Sequence, residues 1–127
     1  MGGFDSTVAS TMIAEGYLPD SISTDLHSGS ISKVISLPNV MSKFLALGMT
    51  LDQVIYRTTF APQSIGGFRT LKGSQYPLGE LATLALFKIE EGEFEFEDVH
   101  GHVFFGKEMI TPMLVINNGR EWISISK

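Results

Sequence analysis

The sequence contains no cysteine, which removes disulfides, thiolate metal sites and thiol nucleophiles together and suits a reducing, cytoplasmic setting. No uninterrupted apolar run approaches the roughly 18 residues of a spanning helix. The opening Met1-Gly2-Gly3-Phe4-Asp5 has neither a basic stretch nor an apolar one, so the reading is of no membrane segment and no signal peptide. Basic residues are few, nine against fourteen acids, and they form no patch, which disfavours nucleic-acid binding. Also missing are a Gly-rich phosphate loop followed by Lys and Ser or Thr, a nucleophile elbow, and paired histidines on one helix face.

What is present suits a folded chain. The 127 residues are 43% apolar, enough for a packed core in one domain of ordinary size. The first half alternates helical and strand signals. Over 5–15, Val8, Ala9, Met12 and Ile13 fall at helical spacing, with Asp5 or Ser6 to cap the start and Gly16 to end it. The β-branched run 21–26 then predicts a short strand that ends in Asp25 and is followed by His27. After a Ser- and Gly-rich loop over 28–36, Pro38 opens a second helix over 39–47, with Val40, Phe44 and Leu47 on one face and Gly48 at its end. Thr50 and Gln53 have capping-box spacing for a third helix, which Pro62 interrupts.

The second half changes period from 3.6 to 2. Residues 81–89 predict a strand buried on both faces, while Glu93-Phe94-Glu95-Phe96-Glu97 alternates and predicts one wet face. Two hairpins are expected, one turning near His100-Gly101 and one at Asn118-Gly119 between 113–117 and 120–125.

Among residues able to carry chemistry, Asp25 stands first, because barrels of parallel strands keep their catalytic groups at the C-terminal ends of those strands. On strand-end position alone, an Asp that caps the next turn or pairs with a loop amide is the commoner case. His27, two residues on, would share a side with Asp25 in a continuing strand, where the pair suits acid/base work or a metal. Zinc takes about three or four protein ligands, and the remaining histidines, His100 and His102, read as a solvated hairpin tip. Lys43, between Ser42 and Phe44, reads as a surface residue, and the glutamate alternation as an exposed strand face.

Longer phrases add to these residues. Leu18-Pro19-Asp20-Ser21-Ile22-Ser23-Thr24-Asp25-Leu26-His27, then Leu37-Pro38, Met41-Ser42-Lys43-Phe44-Leu45-Ala46-Leu47-Gly48-Met49, Ala61-Pro62 and Leu78-Gly79-Glu80-Leu81-Ala82-Thr83-Leu84-Ala85-Leu86-Phe87 resemble the dihydroorotase-like amidohydrolase/deacetylase family of the amidohydrolase superfamily. The resemblance implies a (β/α)8 TIM-type barrel with a small β-sandwich domain, and hydrolysis of amide, cyclic amide or acetyl-ester bonds by metal-activated water. It implies one or two divalent metals, usually zinc. Asp25 matches the aspartate that ends the eighth strand, takes the water's proton and returns it to the leaving group, and it can touch a metal directly. His27 falls where the resemblance suggests a substrate contact. The paired histidines of the family's first strand, the bridging residue of its fourth and the single histidines of its fifth and sixth have no copies here. Ser36 stands where the family often has an acidic residue before Leu-Pro, which departs from the family's substrate loop.

The expectation is therefore a C-terminal fragment. Residues 1–75 would be the end of the barrel, its last strand and helices, and residues 76–127 antiparallel strands of the β domain. A closed barrel of this kind takes about 250 residues, so the chain alone is expected to be inactive, prone to association, and to need either a missing N-terminal barrel portion or a homo-oligomeric partner. Its substrate would be a small acylated molecule. The alternative is a noncatalytic α+β module whose hairpins form a binding or assembly surface.

Overall fold

The computed structural model describes residues 3–67, 78–79 and 81–122. Helices come first: α1 (Ser6–Ala14), α2 (Ile31–Val34), α3 (Leu37–Ala46), α4 (Leu51–Thr58) and α5 (Phe60–Ile65). Strands β1 (Leu84–Glu97), β2 (Val103–Asn117) and β3 (Arg120–Trp122) follow. They form an antiparallel sheet in the order β1-β2-β3.

Local chemistry sets most helix ends. The Asp5 carboxylate accepts the Val8 N–H at 3.0 Å to open α1, and Gly16 adopts φ +88° just past its end, a conformation that costs glycine least. Ser36 Oγ accepts the Asn39 N–H at 3.2 Å at the head of α3, where Pro38 occupies the first turn. Both arms of the Thr50–Gln53 capping box are made, at 3.2 and 2.9 Å. The interruption expected at Pro62 falls earlier, at Thr59 (φ −121°, ψ −77°), and Pro62 itself lies inside α5. Proline has no N–H to give the carbonyl four residues back, and its ring crowds that carbonyl, so α4 stops at Thr58.

The hairpins follow the turn residues. Asn118 and Gly119 both have positive φ, +49° and +75°, as a two-residue turn that matches strand twist requires. The part of its second strand expected beyond Trp122 lies outside the described residues, as does the 75/76 boundary between the two expected parts. Pro112 sits in the central strand β2 opposite Phe87, beside a register shift in β1 between Leu86 and Phe87. A bulge is the place in a central strand where a missing N–H is tolerated. Along β1, Phe96 is buried while Glu93 and Glu95 are exposed, as the alternation predicts.

The core joins the two halves. Ile22, Val34, Val40, Met41, Met49 and Val54 pack with Ile110 of β2. Fully buried Ser42 accepts the Ile110 N–H at 2.9 Å and donates to Pro38 C=O at 2.7 Å, which satisfies a polar group inside the α3–β2 contact. Gly106 sets the spacing there, because a Cβ at that position would stand 2.7 Å from Ala46 Cβ.

A second link runs through Asp98, between β1 and β2. Its side chain has no solvent exposure. One oxygen accepts Ser6 N–H at 3.0 Å and Ser6 Oγ–H at 2.7 Å, and the other accepts His100 N–H and His102 N–H, each at 2.9 Å. Burial by itself would raise the carboxyl pKa, but the Ser6 hydroxyl and the N–H groups of Ser6, His102 and His100 more than offset it and hold the group far below the usual carboxylate range. A carboxylate at the N-terminus of α1 also meets the positive end of that helix.

Three expectations fail. Residues 21–26 are not part of the sheet. A strand exists through its ladder bonds, and this segment's backbone instead makes a bond from Ile22 N–H to Arg57 C=O at 2.8 Å. The start of β1 is not buried on both faces: Leu84 and Leu86 are 38% and 57% exposed, since none of the described elements covers them. Lys43, read as a surface residue, is 2% exposed. It lies three residues after Val40 and one before Phe44, within the stripe that α3 turns inward.

Replacing Asp98 by Ala should cost roughly 2–4 kcal/mol, since four donors lose a charged acceptor, and denaturant unfolding measures it. The carboxyl is held below its ordinary value of 3.8, so its contribution is complete above that value and is lost as pH falls through the lower folded pKa. Asp98→Asn should flatten the acid limb of the stability profile.

Candidate functional site

A cavity of about 670 Å³ opens between α1 and the extended segment that leads to Asp25. Its wall is mainly apolar, with Val8, Met12, Leu18, Ile22, Val40 and Phe44 among the lining residues, and Asp5, Asp25, Lys33 and Lys43 supply charge. The helical stripe of α1 faces this space, and Val8 and Met12 remain 59% and 44% exposed.

Asp25 lines the cavity and is exposed. Its φ of +50° turns the chain, a left-handed conformation that Asp tolerates better than most residues. Buried Ser30 fixes that turn: its Oγ donates to Asp25 C=O at 2.8 Å and accepts His27 N–H at 3.0 Å. No hydrogen bond to the Asp25 carboxylate is present among the described residues; the bond from Ser30 goes to its backbone oxygen.

The turn breaks the alternation that would put His27 on the same side. His27 is exposed, does not line the cavity, and its Nδ1 accepts Gly29 N–H at 3.1 Å. His100 and His102 are at the hairpin tip, about half exposed, with His100 Nε2 3.1 Å from Asp5 Oδ2 and His102 Nδ1 3.3 Å from Asp98 Oδ2. Among the described residues no group of three His, Cys, Asp or Glu is gathered as a metal ion would need.

The buried amine of Lys43 was missed by sequence reasoning. Its Nζ donates to Lys33 C=O at 2.7 Å and lies 5.6 Å from the centre of the Phe4 ring, which in turn packs edge-on against Phe44 at 5.2 Å. Burial lowers its pKa; the charges of Asp98 and Glu97 oppose that, and Lys33 adds to it. Lys33 pairs with Glu97 at the end of β1, so the last glutamate of the alternation, still partly exposed, also anchors α2 to the sheet. A helical wheel places Lys43 on the Val40 stripe, and that signal was in the sequence.

No family model matches the chain. It is 33% identical over 125 residues to a deacetylase of Agrobacterium fabrum, covering 98% of this chain and 30% of the relative. It is 31% identical over 125 residues to a deacetylase of Brucella anthropi, with the same shares. A solved dihydroorotase superposes with a TM-score of 0.86 at 30% identity, over 94% of this chain and 32% of that one. A solved adenine deaminase gives 0.81 at 28% identity, over 95% and 33%. The chain thus spans about a third of the length of each of these four proteins. The expected fold class holds: the helices and antiparallel sheet are the C-terminal portion of a TIM-type barrel followed by strands of a small β domain. In sequence and fold the chain is thus similar to about a third of these deacetylase, dihydroorotase and adenine deaminase proteins, as a C-terminal portion of such an amidohydrolase would be.

Proposed function

We propose that this segment contributes the proton-transferring carboxylate to a hydrolase that cleaves amide, cyclic amide or acetyl-ester bonds of small acylated molecules. The observation that carries the reading is Asp25, an exposed carboxylate at the wall of a cavity, on a turn fixed by buried Ser30. The names of the deacetylase and dihydroorotase relatives support the reaction class. In this scheme residues 1–75 belong to the barrel and 76–127 to the β domain.

A carboxylate with no competing hydrogen bond can take a proton from an attacking water and return it to the leaving group, a contribution of roughly 10²–10⁴ in rate. Ser30 holds the backbone of that carboxylate while leaving its oxygens open. His27, exposed in the turn that follows and off the cavity wall, is in this reading a contact only for a part of the substrate that extends beyond the cavity. A divalent ion, zinc in this reading, would acidify the water, and Asp25 would be one of its ligands. The others must come from outside the residues described here, which gather no such group.

The assembly reading has its own support. Leu84, Leu86, Val103, Phe105, Met113 and Trp122 of the sheet are all exposed, and apolar side chains left open in this number are candidates for burial against a partner. Sedimentation of the 127-residue chain should show association, and a monomer with no concentration dependence would count against it.

Hydrolysis of a panel of acetyl esters, N-acyl amides and cyclic amides by the full gene product containing this segment tests the enzyme reading. Chelation should abolish turnover and a divalent ion restore it. Asp25→Asn should lower kcat by about 10³ with the circular dichroism spectrum retained; turnover near that of the parent removes Asp25 from the mechanism. The 127-residue chain alone should give no turnover with added zinc.

A further inference from the structure

The segment after Asp25 ends in an unusual bend. Ile35 has φ +65° and ψ −67°, and Ser36 N–H donates to Val34 C=O at 2.7 Å. This is the positive-φ form of the three-residue γ-turn, which is rare and strained. A β-branched side chain makes it worse, and Ile35 gains little in return, being 67% exposed. Strain of this kind persists only where the surroundings over-determine it, and it gathers near functional sites.

What holds the bend can be traced by hydrogen bonds. Four residues, Ile31–Val34, make up α2, too short to be stable on its own. At its head, Ser30 ties it to Asp25 C=O and His27 N–H. At its tail, Lys43 Nζ reaches from α3 to Lys33 C=O, and the Lys33 side chain reaches Glu97 at the end of β1. A cation on a C-terminal helix carbonyl is favourable there. Lys43 is 2% exposed, so solvent does not replace this bond when it is lost.

From this geometry we infer that Lys43 is a positioning residue, which holds the strained loop over 25–36 against α3 and so keeps the Asp25 carboxylate at the cavity. The inference rests on the reading of Asp25 given above. Lys43 acts through Lys33 C=O and α2, with no contact to Asp25 itself. Charged groups around it are Lys33 of α2, Glu97 of β1 and Asp98 just beyond, with Asp5 and Asp25 on the same cavity wall.

The test is amide hydrogen exchange and steady-state kinetics on the full gene product, comparing Lys43→Met, which keeps the length of the side chain without its charge, with Lys43→Arg. In Lys43→Met the amides of Ser30, Ile31, Lys33 and Val34 should exchange at least tenfold faster. Those of the β1–β2 ladder should stay within twofold, and kcat should fall at least tenfold with KM within threefold. Lys43→Arg should recover most of the loop protection. Should Lys43→Met not fold, the parent protein supplies the readout. Corrected for base catalysis, loop exchange should quicken as pH rises through the titration of Lys43, below the ordinary lysine value of 10.5, and no inflection there overturns the inference. Unchanged loop exchange in Lys43→Met overturns it, as does loss of protection spread evenly over every element, or a loosened loop with unchanged kcat. An active Asp25→Asn variant would instead remove the functional reading, whatever the loop does.

Discussion

Asp98 ties the first helix of this chain to its stranded half. A carboxylate with no exposure survives only if its lone pairs are filled, and here the donors come from both sides of the divide: Ser6 at the start of α1, and His100 and His102 in the turn between β1 and β2. Burial disfavours the charge and the donors overcome it. The consequence is geometric, since the N-terminus of α1 cannot move relative to the hairpin without uncovering an unpaired anion. Phe4 packs nearby against Phe44 and Phe104, and Val99 N–H donates to Phe4 C=O at 3.0 Å, so polar and apolar contacts fix the same junction.

The α3–β2 contact works differently. There the buried Ser42 hydroxyl oxygen accepts an N–H of the sheet and Gly106 lets the helix approach. Together the two contacts leave α1, the segment through Ile22 and α3 as three walls around a cavity. Asp25, Lys33 and Lys43 are at its charged part. The site is thus assembled by elements that are far apart in sequence, and the loop that carries Asp25 is held from α3 and from β1 as well as by its own Ser30.

Elements governed by local chemistry were legible before any coordinates. The capping box of Thr50 and Gln53, the proline in the first turn of α3, the glycine after α1 and the Asn118-Gly119 turn each depend on a few adjacent residues. The resemblance in 18–27 and 37–49 likewise pointed to the deacetylase relatives and to the barrel portion. What was illegible depends on distant partners. The run 21–26 has strand composition, but composition does not supply ladder neighbours, and among the described residues it has none in the sheet. Placing Asp25 and His27 on one side assumed that the strand continued, while the positive φ of Asp25 depends on Ser30, five residues on. Lys43 was misjudged because a charged residue was weighed by type rather than by its place on the Val40–Phe44 stripe. Asp98 drew no reading from the sequence; that one of its oxygens would reach Ser6, 92 residues earlier, follows from the fold alone.

The apolar wall of α1 has a thermodynamic corollary. Val8 and Met12, together with Leu84, Leu86 and Phe105 on the sheet, keep their hydration shells in the folded chain. The heat-capacity change of unfolding tracks apolar surface newly wetted, so these side chains contribute little to it when the chain unfolds alone. They contribute instead when something covers them, and the negative heat-capacity change of that association records the burial that folding left undone.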